Sequence, residues 1–204
     1  MNTICRSALL AVALSAALIG CDKPGTSSPP AVVFRGADIT GADYARALAL
    51  PDASGRGRTL ADFKGKVTVV FFGYTQCPDV CPTTMAELAQ VKKALGADGD
   101  KLQGVFVTID PERDTAELLA QYVPSFNPTF LGLRGDAQAT AEVAREFKVL
   151  YQKQPGATPG TYSMDHSAGT FIFDPEGRLR VYVSYGQGPD VFVHDIRALL
   201  RTAG

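Results

Sequence analysis

Val67-Thr68-Val69-Val70-Phe71-Phe72-Gly73-Tyr74-Thr75-Gln76-Cys77-Pro78-Asp79-Val80-Cys81-Pro82 runs from a block of β-branched and aromatic residues straight into two thiols four residues apart. Its first six residues are almost continuously apolar, the pattern of a strand covered on both faces. Pro78 and Pro82 lack the amide hydrogen that an interior helical position donates, which argues against a regular helix through Cys77. A helix is expected to begin at Pro82 or just after it, with Thr84 and Glu87 spaced as a capping box. Met85, Leu88, Val91 and Leu95 then recur at helical spacing and should face the core. The thiols thus belong to a strand-to-helix connection. On a helical turn their side chains lie about 5–6 Å apart, a separation that suits either a disulfide or two thiolates on one metal ion. Spacing alone leaves a redox couple and a metal clip both open.

Downstream the signals alternate. Gly104 to Ile109 reads as a second buried strand, residues near Ala116 to Tyr122 as a helix, Phe130 to Leu133 as a short strand, and Ala137 to Phe147 as an amphipathic helix. Gly169 to Phe173 and Leu179 to Ser184 flank Asp174-Pro175-Glu176-Gly177, the pattern of a hairpin. A last helix is expected from about Asp190 to Arg201. Between these, Gln152 to Thr161 is rich in Pro and Gly and reads as a long loop of the kind that carries function. Strands and helices in this order give an α/β fold, a mixed central sheet flanked by helices and closed by a C-terminal hairpin and helix. Cysteines just after the first buried strand make it thioredoxin-like.

The other two cysteines are explained by targeting. Met1 to Gly20 carries a single positive charge, Arg6, ahead of the apolar stretch Ala8 to Ile19, which is too short to cross a bilayer and has the shape of an export signal. Leu18-Ile19-Gly20-Cys21 resembles a bacterial lipobox, whose cysteine is lipidated after cleavage. Residues 1–20 are therefore expected to be a signal peptide that takes Cys5 with it, with Cys21 as the lipid anchor. Asp22 resembles an inner-membrane retention signal. Lys23 to Pro30 is a linker by composition, Val32 to Tyr44 is ambiguous, and 45–204 is the folded domain, a size ordinary for one unit. With 20 basic and 21 acidic side chains the chain shows no electrostatic footprint for nucleic acid. Export places the thiols under oxidising pressure, so a working thiol site there needs a reductant.

Three blocks, taken together, resemble one family. Cys77-Pro78-Asp79-Val80-Cys81-Pro82, then Asp110-Pro111-Glu112-Arg113-Asp114-Thr115, then Asp165-His166-Ser167 are similar in sequence and order to the signatures of the Sco/SenC proteins, over about Ala47 to Leu200. The resemblance implies a membrane-tethered, thioredoxin-like copper-binding domain that assists assembly of the dinuclear copper centre of cytochrome c oxidase. It implies Cys77, Cys81 and His166 as the copper ligands. It also implies an oxidase subunit that accepts the metal, a copper donor chaperone and a thiol reductant as partners, at the periplasmic face of the inner membrane. The sequence departs from the family at Met164, and a lipobox stands where many members have a transmembrane anchor.

Ligand chemistry agrees. Two thiolates suit soft Cu(I), and an added imidazole supplies a donor that Cu(II) also accepts. Zinc competes for the same set. A structural disulfide is the plainer reading of the two cysteines, and a solvated loop residue that of His166. Asp79 is either a tuning charge or a loop carboxylate. Asp165 either orients the imidazole or caps a turn, and Met164 either offers sulfur or fills a gap. His194 should face solvent, and Asp110 to Thr115 should be architectural. Two further functions remain open: a thiol-disulfide oxidoreductase that keeps a partner's copper-ligand cysteines reduced, and a thiol peroxidase or redox sensor.

Overall fold

The computed structural model describes residues 32–202. The signal-like segment with Cys5, the lipobox cysteine Cys21 and the linker through Pro30 lie outside these residues. In chain order the elements are β1 (Ala37–Asp38), β2 (Ala49–Pro51), β3 (Gly57–Thr59), β4 (Val67–Gly73), α1 (Val80–Ala94), β5 (Leu102–Thr108), α2 (Ala116–Phe126), β6 (Leu131–Leu133), α3 (Ala137–Glu146), β7 (Tyr151–Pro155), β8 (Tyr162–His166), β9 (Thr170–Phe173), β10 (Leu179–Val183) and α4 (Pro189–Thr202). Short 3-10 turns precede β4 and β5.

Six strands form the main sheet in the order β1-β10-β9-β4-β5-β6. β4 pairs in parallel with β5 and antiparallel with β9, so the sheet is mixed, as the alternation of elements predicts. Every residue of β4 and of β5 is buried. Neighbours on a strand point to opposite faces, and Phe71 and Phe72 show what covers each. The Phe71 ring lies 6.2 Å from Phe106, whereas Phe72 lies 5.0 Å from Phe147 and 6.2 Å from Phe171. α1 contacts both α2 and α4, and α4 lies against β4 and β10. This is the thioredoxin-like arrangement, closed by the β9–β10 hairpin and α4. Among the described residues no helix is long and apolar enough to cross a membrane.

Four expectations need correction or completion. The ambiguous stretch before Tyr44 contains β1, an edge strand paired with β10. Its approach is pinned where the amides of Arg35 and Gly36 each donate at 2.8 Å to the buried carboxylate of Asp195 on α4. His194, expected to face solvent, is half-buried with Nδ1 2.7 Å from that carboxylate. Helix α1 starts at Val80, two residues earlier than expected, with Asp79 as its N-cap. Pro82 is tolerated because amides of a first helical turn have no intrahelical acceptor to lose. Thr84 does not cap; its hydroxyl donates to the Val80 carbonyl at 2.8 Å. Finally, the first four residues of the loop expected over 152–161 belong to strand β7, paired with β8 from Tyr151↔His166 to Pro155↔Tyr162. Its sequence, Tyr-Gln-Lys-Gln-Pro, has no apolar alternation for a pattern search to find.

The small β2–β3 hairpin is organised by one carboxylate. Asp52 accepts from the Ser54 hydroxyl at 2.5 Å, the Ser54 amide at 2.9 Å and Arg58 Nε at 2.7 Å. Burial alone pushes its pKa up, but these donors outweigh burial and hold it down to about 2. A carboxylate whose folded value lies below its unfolded value stabilises fully above the unfolded pKa of about 4, and loses that contribution as the pH falls toward the folded one. The melting midpoint is therefore expected to drop between about pH 4 and pH 2, and Asp52→Asn should flatten part of that dependence. An unchanged slope in a pH series of thermal melts would count against this role.

Candidate metal centre

Both sulfurs sit where β4 ends and α1 begins. Cys77 lies in the turn, its amide donating to the Tyr74 carbonyl at 3.3 Å. Cys81 falls in the first turn of α1, and its own amide donates to Cys77 Sγ at 3.3 Å. The positive end of the helix therefore faces the sulfur of Cys77. Gly73, the last residue of β4, leaves room for the second sulfur. A Cβ at this position would stand 2.9 Å from Cys81 Sγ, 2.9 Å from Phe71 Cε1 and 3.0 Å from Phe106 Cε2.

The third donor arrives from 85 residues away: His166 Nε2 lies 3.5 Å from Cys81 Sγ. The ligand atoms of Cys77, Cys81 and His166 all lie within 4.8 Å of one another. Nδ1 of His166 is 3.0 Å from the Ser167 carbonyl. A carbonyl only accepts, so Nδ1 carries the proton and Nε2 presents its lone pair toward the sulfurs, the tautomer a metal needs. The ring is held edgewise by Tyr74 and Phe71, each with its centroid 6.1 Å away.

Electrostatics favour a neutral site before loading. Burial, and secondarily the neighbouring Cys77, push the Cys81 thiol well above its ordinary range. Burial likewise lowers the His166 pKa, against the opposing pull of the Ser167 carbonyl. The apo site thus holds a protonated buried thiol and a neutral imidazole, and seating a metal on both sulfurs releases protons. Two thiolates and one imidazole fit the preference of Cu(I) for sulfur and leave a nitrogen that Cu(II) accepts. They also satisfy zinc, so the donor set defines a class of soft ions and not one element.

The residues whose roles the sequence left open fall into place by strand alternation. In β8, Tyr162, Met164 and His166 share one face while Ser163 and Asp165 are exposed on the other. Asp165 therefore points away, and the Ser167 carbonyl takes the orienting role considered for it. Met164 is buried in the core. Asp79 is exposed and accepts from the Thr83 hydroxyl at 3.2 Å. Sequence reasoning missed Gly73, Tyr74 and Ser167, because close approach, ring packing and a main-chain acceptor leave no mark in spacing. The Asp110-to-Thr115 block does carry architecture. Buried Asp114 accepts from the hydroxyls of Thr75 and Thr108, each at 2.6 Å, and so fixes the chain just ahead of Cys77. Burial raises the Asp114 carboxyl above the usual range, against these donors.

Comparison with known proteins places this geometry. The sequence matches the family described as SCO1/SenC over residues 37–201. It is 37% identical over 152 residues to the mitochondrial SCO2 homolog of Bos taurus, covering 74% of this chain and 57% of that one, so the chain spans less than two thirds of that relative. The structure of Bradyrhizobium japonicum ScoI with copper bound is similar with a TM-score of 0.68 at 38% identity, over 76% of this chain and 98% of that one. Apo Sco1 of Thermus thermophilus gives a TM-score of 0.73 at 38% identity, over 84% of this chain and all of that one.

Proposed function

The chain belongs to the SCO1/SenC family, and from that membership we propose that it is a copper carrier serving assembly of the dinuclear copper centre of cytochrome c oxidase. The observation that carries the reading is the meeting of two thiols and one imidazole within 4.8 Å, brought from a strand-helix turn and a distant hairpin. Copper is cargo here. The thiols give up protons on capture, the imidazole provides a third bond, and the half-buried Cys77 and His166 form the side from which a partner takes the ion. The copper-bound ScoI relative, at 38% identity, supports copper over zinc.

The same reading places the domain on a lipid anchor at Cys21, after removal of residues 1–20, with residues 21–44 as tether and N-terminal extension. It faces the periplasm from the inner membrane. Its partners are a copper donor chaperone, a thiol reductant that keeps Cys77 and Cys81 open, and the oxidase subunit that receives the metal. The support is the lipobox pattern.

Anaerobic titration of the reduced protein with Cu(I), Cu(II) and zinc tests the proposal. His166→Ala is expected to weaken Cu(II) binding by about tenfold or more, since a borderline ion leans on the nitrogen donor, while Cu(I) stays on the two sulfurs. A purely thiol-disulfide role predicts full activity in His166→Ala, and a peroxidase predicts metal-free peroxide turnover. Either result, or zinc binding that excludes copper, would replace the carrier reading.

A further inference from the structure

His166 sits at the end of a hairpin that belongs to no larger sheet. β7 and β8 pair only with each other, and an isolated two-stranded hairpin is marginal by itself. A cavity of about 210 Å³, lined by Asp110, Pro111, Glu112, Tyr151, Lys153 and Met164, lies between it and the loop that follows β5. Something other than ladder hydrogen bonds must therefore fix the distance from the imidazole to the sulfurs.

Lys153 pairs with Glu112 and Met164 packs into the core, but Arg113 is the connection that also reaches the cysteine turn. Its Nε binds Asp110 Oδ2 at 2.5 Å, and Asp110 is almost wholly buried. Nη1 donates to the Tyr162 carbonyl of β8 at 2.8 Å and to Gln76 Oε1 at 3.1 Å, one residue before Cys77. The guanidinium carbon Cζ lies 3.6 Å from the centre of the Tyr162 ring and 5.7 Å from that of Tyr74, the ring that flanks His166. Tyr162 returns a bond through its hydroxyl to Asp110 Oδ1 at 2.8 Å. One planar, permanently charged group thus ties the cysteine turn and the histidine hairpin to the same buried carboxylate, a geometry that a lysine ammonium does not reproduce.

We infer that Arg113 is a positioning residue that sets the place of His166 relative to Cys77 and Cys81, and so acts on the imidazole contribution to metal binding more than on the thiol contribution. The inference rests on the copper reading for its metal-bound readouts, while its apo readout stands without any metal.

The test uses Arg113→Met and Arg113→Lys in the reduced full-length protein. In the apo state, proton NMR follows the ring contact between His166 and Tyr74, and amide exchange follows residues 162–166. The loaded state is followed by the nitrogen hyperfine coupling of Cu(II) and by competition titration with Cu(I). Both variants are expected to lose the His166–Tyr74 contact and to speed exchange in β8. Cu(II) affinity should fall about tenfold or more, the range for a residue that orients a ligand, with Cu(I) affinity nearly unchanged. Unaltered ring contact and coupling in Arg113→Met would overturn the inference, as would equal losses for Cu(I) and Cu(II), which mark a merely structural residue. Should Arg113→Met fail to fold, Gln76→Ala cuts only the arm to the cysteine turn. It must show the same split at smaller size, and no change or an even loss overturns the inference. Copper failing to bind the wild type would remove the carrier function yet leave the apo contacts to decide the role of Arg113.

Discussion

Cys81→Ser is expected to remove tight Cu(I) binding. A structural zinc site held by four ligands is worth about 10–16 kcal/mol, so one ligand contributes roughly 2.5–4 kcal/mol, on the order of a hundredfold to a thousandfold in affinity. Cys81 should lie at the upper end, because its sulfur is fully buried and is the one in direct reach of His166 Nε2, at 3.5 Å. The hydroxyl of serine is a hard, weakly acidic donor that a cuprous ion does not favour. Folding should survive, since the smaller hydroxyl can donate to the same imidazole nitrogen and remain satisfied. The measurement is competition with a Cu(I) chelator, alongside circular dichroism to show an intact fold. Retention of wild-type affinity in a folded Cys81→Ser protein would mean that the buried sulfur is no ligand.

Gly73→Ala carries the second large effect, and it separates packing from chemistry. The added methyl meets Cys81 Sγ and Phe71 Cε1 at 2.9 Å, closer than real contacts allow, and Phe106 Cε2 at a tight 3.0 Å. None of the three is the free end of a flexible chain; all are buried. Overpacking of this kind costs about 1–3 kcal/mol, which lowers the melting midpoint by several degrees. Cys81 has the smallest of the three side chains, so relief should come partly by displacing its sulfur and weakening copper binding without removing a donor atom. Calorimetry and metal titration of the one variant measure both. A Gly73→Ala protein as stable and as tight as wild type would show that the floor of the site yields freely.

These two variants also mark the boundary of what was legible. Cys81 could be singled out from spacing, because two thiols four residues apart after a buried strand point to a disulfide or a metal ion and to little else. Gly73 could not, since its demand comes from Phe106 on the adjacent strand and Cys81 on the following helix. The buried strands β4 and β5, α3, the β9–β10 hairpin and α4 were readable for the same reason as Cys81: each buries a continuous or periodic apolar face that is written in the chain itself. The β7–β8 hairpin escaped because β7, Tyr-Gln-Lys-Gln-Pro, has no apolar alternation to find, and because Arg113, which clasps the hairpin, lies far away in sequence. The early start of α1 escaped because a proline that opens a helix reads as its first residue, whereas Pro82 stands third, where the first turn still tolerates it.

What sequence alone determined is the chemistry: two sulfurs and one imidazole of the right kind, in a chain whose strand and helix order admits a thioredoxin-like sheet. Tertiary structure decided the geometry. It alone brought His166 across 85 residues to Cys81, set the free nitrogen toward the sulfurs through the Ser167 carbonyl, turned Asp165 away and gave Arg113 its three attachments. The physical reason is that local patterns report which groups seek burial, whereas a metal site depends on where separate segments are held. That placement is settled by packing and hydrogen bonds between residues that are neighbours only once the chain has folded.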